Sequence, residues 1–178
     1  MVWLVILAAL LLVISPVMWL KPSPRQRRIV PLRNAAAKAG VKVVLEKPPL
    51  HGIETAMPGY RWSYPAVSPG PRFLLVRDSE ASDVLKPCVA GWRWRIEPLR
   101  PLPPAAREPL EALLTRLPQD ALVIESSEFA ITLWWWESQT AERFLTYLDD
   151  FHLLRNAMAG RADQRRAKSD FGEGAPRG

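Results

Sequence analysis

The segment ALVIESSEFAITLWWWE, residues 121–137, decides how the rest of the chain is read. It holds two apolar runs of strand length that meet at Ser126-Ser127, and turn-forming residues between two such runs mark a β-hairpin. In the second run Phe129, Ile131, Leu133 and Trp135 share one face at the two-residue period of a strand. Trp134 and Trp136 then fall on the other face. Either a helix covers that face or it remains an exposed apolar patch. Trp134 and Trp136 are therefore the candidate surface for a protein partner.

Working outward from the hairpin, the flanking elements fit around a sheet. WRWRIEP (92–98) alternates Trp92, Trp94 and Ile96 with Arg93, Arg95 and Glu97, the pattern of a strand with one buried and one wet face. RFLLVRD (72–78) and VKVVLE (41–46) read as further strands, and Tyr60–Tyr64, set among prolines and glycines, suits an edge. PLRPLPPA (98–105) is a polyproline-like connector. A helix is expected from about Ala106 to Leu117, with a stripe of Leu110, Leu113, Leu114 and Leu117 ended by Pro118. Beyond the hairpin, Ser138 reads as the cap of a helix whose stripe is Ala141, Phe144, Leu145, Leu148, Phe151, Leu154 and Met158, stopped by Gly160. Residues 161–178 lose the apolar period and read as a disordered tail. Before the strands, Ser23-Pro24 opens a helix over 24–39 that stops at Gly40, and Pro31 is a point where it can divide into a basic linker and a helix from about Pro31 to Ala39. The expected fold is α+β: residues 41–160 form a small domain with a mostly antiparallel sheet and two or three helices.

The first twenty residues, MVWLVILAALLLVISPVMWL, carry no charged side chain. As a helix they reach about 30 Å, the thickness of a bilayer core. Trp3 and Trp19 near the two ends are candidate membrane-interface anchors. The run is long, nothing basic precedes it, and Met18–Lys21 is a poor cleavage site, which favours an uncleaved anchor over a signal peptide. Residues 21–47 hold eight bases against the single acid Glu46, a net of +7, whereas residues 48–178 hold sixteen bases and seventeen acids. The whole positive excess thus lies beside the apolar run. It predicts a single-pass protein of a bacterial inner membrane, N-terminus out and domain cytoplasmic, with Lys21, Arg25, Arg27 and Arg28 as candidate lipid contacts. The bacterial assignment rests on the Ala/Leu/Arg/Pro-rich composition. The lone thiol Cys88 is compatible with a reducing compartment.

The chemistry is sparse. One cysteine and two separated histidines, His51 and His152, exclude a multi-cysteine zinc site and a histidine cluster. Cys88 sits among apolar neighbours without a nucleophile motif and reads as a small buried hydrophobe. Asp149 and Asp150 point about 100° apart on a helix and do not converge. No phosphate-loop or dinucleotide glycine pattern is present. Trp92-Arg93-Trp94-Arg95 places its aromatics and arginines on opposite faces, which suits core packing better than a stacking platform. With a net charge of −1 beyond residue 47, no nucleic acid is expected as a partner, and no metal, cofactor or catalytic residue is assigned.

The run Trp19–Arg28, followed by Ala37-Lys38-Ala39-Gly40-Val41-Lys42-Val43-Val44, resembles the YajC family, an accessory subunit of the bacterial Sec preprotein translocase. The likeness covers about residues 1–50. Lys47-Pro48-Pro49 departs from that family's turn, and the Trp-rich region beyond has no counterpart in it. The resemblance implies a non-catalytic auxiliary role in the inner membrane. The expected function is thus that of a non-catalytic, single-span accessory protein whose domain binds a protein partner at the membrane; the alternative is a membrane-tethered enzyme using Cys88 or scattered carboxylates.

Overall fold

The computed structural model describes residues 2, 3, 6, 23–89 and 91–162. Its strands are β1 (Lys42–Glu46), β2 (Met57–Ser63), β3 (Phe73–Arg77), β4 (Lys86–Pro87), β5 (Trp92–Ile96), β6 (Ala121–Ser126) and β7 (Ala130–Trp135). They form one sheet in the order β1-β2-β7-β6-β3-β5-β4, with every neighbouring pair antiparallel. Among the described residues, the helices α1 (Pro24–Lys38), α2 (Pro104–Arg116) and α3 (Ala141–Met158) complete an α+β domain.

Register assigns the two faces. The pairs Tyr60↔Leu133, Trp62↔Ile131, Ser126↔Ile131, Leu75↔Ile124 and Arg77↔Trp92 share the face on which the helices lie. Here Tyr60, Trp62 and Trp135 meet Phe144 and Phe151 of α3. Trp92 donates its Nε1–H to the carbonyl of Leu114 in α2 at 3.1 Å. Arg77 lies with its guanidinium 4.3 Å from the Trp92 ring centroid and bonds the carbonyls of Leu117, Pro118 and Ala121. A cation at the end of α2 satisfies carbonyls the helix itself leaves open. Burial lowers the pKa of this arginine, against the opposing pull of Asp120 and Asp78.

The opposite face carries Met57, Gly59, Thr132, Trp134, Val123 and Val76, all buried. Arg95 of β5, which alternates away from Trp94, donates to the carbonyl of Pro49 at 3.2 Å. The connection 47–56 is thus tied to β5 at Pro49, and its own Pro48 and Leu50 are buried. Gly59 has a packing reason to be glycine, since a Cβ there would lie 3.0 Å from the Trp134 ring.

Several expectations are corrected. No helix among the described residues is long and apolar enough to cross a membrane. The transmembrane part of the expected fold, the single-pass topology and the inner-membrane placement are withdrawn on that finding. The longest helix described, α3, has 18 residues and carries Glu142, Arg143, Asp149, Asp150 and Arg155. Most of residues 1–20, and all of the predicted tail beyond Ala162, lie outside the described residues. The basic connector is not a separate piece: α1 is one helix with a Ser23–Gln26 capping box, it seats Leu32 and Ala36 in the core, and it packs on α3 and β1. Pro31 is accommodated because it lies on the exposed side with Arg27, whose carbonyl it cannot serve and water can.

β2 is no edge strand. It lies between β1 and β7, and Pro58 stands at its start, opposite Leu45 of β1 and before the ladder with β7, which begins at Gly59. Phe129 is 79% exposed in the turn of the hairpin rather than on the face with Ile131. α3 is capped by Thr140, because Ser138 is held by the Asp120 carboxylate, and Tyr147 takes the buried place expected for Leu145.

Candidate functional site

Trp134 is 2% exposed, with its Nε1–H on the Glu125 carboxylate at 3.0 Å and Arg61 over its ring. Of the two outcomes the sequence left for this face, burial is the one found at Trp134, so it offers no exposed partner surface. Trp136 lies just past the end of β7 and is partly buried against the core. Arg25, Arg27 and Arg28 are exposed in the first turns of α1. Trp3 is exposed, while Trp19 and Lys21 lie outside the described residues. These residues do not form one site.

Immediately after the tryptophans, Glu137 occupies the left-handed backbone region at φ 58° and is 1% exposed. A residue other than glycine pays about 1 kcal/mol or more in this region, so surrounding contacts must hold it there. They do so from two elements. Arg33 of α1 donates through Nε and Nη2 to the two carboxylate oxygens at 2.7 and 2.8 Å, and Tyr60 of β2 donates to the same carboxylate at 2.9 Å. The hydrogen bond to Glu137 holds the Arg33 pKa above its ordinary range, and burial followed by the Glu137 charge pushes the Tyr60 phenol well up. Three hydrogen bonds from two elements, two of them from one guanidinium, make this a clamp fixing α1 to the sheet. Nothing in the sequence marks Glu137, a single acid after three tryptophans, because its partners lie 104 and 77 residues away.

A more open arrangement lies at the other end of the sheet. β5, the connector after it and α2 enclose a cleft of about 450 Å³. Its apolar walls come from Trp94, Pro98, Leu102 and Leu110, and Leu99 is 73% exposed at the mouth. Two ion pairs edge the cleft, Lys86–Glu97 at 2.6 Å and Arg107–Glu111 at 2.7 Å. Cys88 lies in the wall, and burial followed by the nearby Glu111 charge pushes its thiol up to about 11. At neutral pH it is a protonated thiol without a base, which makes it a poor nucleophile. A second groove of about 550 Å³, lined by Pro69, Arg100 and Gly160 among others, runs on the other side of Pro101 and Leu102.

The remaining titratable residues do not converge. His51 is exposed in the 47–56 connection, His152 is half-buried on α3, and Asp150 pairs with Arg116 while Asp149 faces solvent. No group of three or more metal-ligating side chains exists among the described residues. The sequence reads Cys88 as a small buried hydrophobe, whereas the structure leaves it half-buried in the cleft wall; nothing local signals the cleft, because β4 is two residues long and the connector's prolines show no periodicity. Comparison of the chain with family models, curated proteins and solved structures gives no match.

Proposed function

We propose that this domain is a non-catalytic protein-binding module, and that its partner seats a short apolar segment in the cleft between β5, the 97–103 connector and α2. The observation that carries the reading is the composition of that cleft: an indole, two leucines and prolines form its interior, and every charge at its edge is already paired within the chain. The cleft thus combines an apolar interior with a polar rim of paired charges, and concavities that join apolar walls to placed polar groups are where proteins take ligands or side chains of other proteins. Prolines in the wall lower the entropy lost when a surface is ordered by binding. The auxiliary role implied by the resemblance over residues 1–50 points the same way.

The rival reading is an enzyme that uses Cys88, the one nucleophile in the cleft. It needs a thiolate, which the raised pKa withholds at neutral pH. A photo-crosslinking residue at Leu99 in the full chain, with one at Leu153 on exposed α3 as the control, separates the two. A discrete protein adduct at Leu99 alone, lost in a Trp94→Ala variant that still folds, is the expected result. No discrete adduct, together with a cellular function lost in Cys88→Ala, would overturn the proposal.

A further inference from the structure

The sheet has two ends of different character. At one, β4 consists of Lys86 and Pro87, and a two-residue strand containing proline offers little backbone to a neighbour. At the other, β1 runs for five residues and, among the described residues, pairs only with β2. Its sequence is Lys42-Val43-Val44-Leu45-Glu46, and Leu45 is 60% exposed. Lys42 has no ion-pair partner among the described residues.

We infer that β1 is a self-association edge, on which a second copy of this chain adds its own β1 antiparallel about a two-fold axis through Val44. In that register Val44 faces Val44, Val43 faces Leu45, and Lys42 of each copy stands opposite Glu46 of the other. Both charge pairs are complementary and the apolar centre is self-matched. Opposite charges and branched apolar residues directly across antiparallel strands stabilise the pairing, and the isologous symmetry uses the same patch twice. Shifting the register by two residues places each charge opposite a valine or beyond the strand, so the two ends select one alignment. A charged edge can also serve to repel neighbours. Lys42 alone fits that role, but Lys42 with Glu46 presents a like chain with matched charges. Lys42, Val44 and Glu46 share the face of Arg61, which already holds Glu46 at 2.6 Å, so the incoming lysine completes a three-membered ion network. The surplus positive charge of residues 21–47 opposes the approach of two copies and makes the dimer concentration-dependent.

Sedimentation of the full chain over a concentration series tests this with two charge reversals. Lys42→Glu leaves two acids on the edge, and Glu46→Lys leaves two bases. Each variant alone is expected to weaken self-association by at least about tenfold, and an equimolar mixture, in which every pair is again complementary, to restore it. In a Cys88→Ala background, Val44→Cys is expected to form an intermolecular disulfide because the two positions face each other at about 5 Å, and Lys42→Cys alone is not. A wild-type chain that stays monomeric throughout, a dimer that persists in both reversal variants, or a mixture that fails to recover would overturn the proposal. Capture of a different protein's strand by a monomeric wild-type chain would do the same.

Discussion

The indole of Trp62 lies parallel to the ring of Phe151, with centroids 4.0 Å apart and planes 10° apart, and this stack joins the second strand of the sheet to its longest helix. Trp62 is 1% exposed and its Nε1–H has no hydrogen-bond partner. Trp92 is equally buried, but its Nε1–H is bonded to Leu114 and its ring carries Arg77. Replacing Trp62 by Phe removes an unsatisfied donor along with some ring contact, whereas Trp92→Phe breaks a hydrogen bond and a cation–π contact. Trp92→Phe is expected to cost about 1–3 kcal/mol more than Trp62→Phe, measured by urea unfolding. Equal costs would show that the orphan donor has no energetic consequence.

Removing Arg33 leaves the Glu137 carboxylate buried with Tyr60 as its sole donor. Arg33→Ala is expected to destabilise by about 2–3 kcal/mol, at or just below the bottom of the range for one-sided loss of a buried pair, since the arginine itself is 40% exposed. Arg33→Lys keeps the charge but cannot make the two parallel bonds, and is expected to recover less than half of the loss. Full recovery by lysine would mean that charge alone matters at Glu137.

Alkaline pH should weaken the fold through its tyrosines. Burial pushes the Tyr64 phenol up from 10.0 to about 12. Below pH 10 folded and unfolded states both hold the proton. Between the two values the unfolded chain releases it and the folded chain keeps it, so stability falls by about 1.4 kcal/mol per pH unit for this group. Tyr60, raised further by burial and by Glu137, extends the loss in the same direction. The urea midpoint of the wild type should drop from about pH 10 upward, and Tyr64→Phe should drop less steeply. A midpoint independent of pH in that range would contradict the burial of both phenols.

Gly70 is held against Tyr64, and a Cβ at this glycine would come within 2.1 Å of the Tyr64 ring. Tyr64 is itself fixed through its hydroxyl to Ser126 at 2.9 Å, so the ring has no easy retreat. Gly70→Ala is expected to cost about 3 kcal/mol, the upper end for overpacking. In a Tyr64→Ala background the same change should cost less than about 0.5 kcal/mol, and thermal unfolding of the four chains measures the coupling.

The thiol in the cleft has a kinetic signature. With its pKa at about 11, Cys88 should react with iodoacetamide near pH 8 at about a thousandth of its thiolate-limited rate, rising tenfold per unit until the thiol titrates. Fast alkylation at neutral pH would revive the nucleophile reading.

The domain's elements are largely legible in the residues. The hairpin at 121–137, the strand at 92–98 and the leucine stripe of α2 follow from local periodicity, because each buries one face and the burial is written at a period of two or three to four. What failed depends on residues far apart in the chain. The surroundings of Trp134 include Arg61 and Gly59 of β2, more than seventy residues earlier, and nothing local to the tryptophans announces them. Glu137 needs Arg33 and Tyr60 to be intelligible, and the cleft needs β5 and α2 side by side. The membrane expectation drew on residues that lie mainly outside those described, and the basic segment after them proved to be an integral helix of the domain.

Pro87 has a consequence for what the chain cannot become. Cross-β fibrils propagate because each added strand presents a fresh edge identical to the one it covered. Here, among the described residues, the far edge strand has two residues and its proline lacks an N–H, so a copy that joins at β1 leaves a poor template behind it. Among the described residues, an association through β1 therefore leaves only this short proline-containing edge at each end of the joined sheet, which disfavours further edge growth.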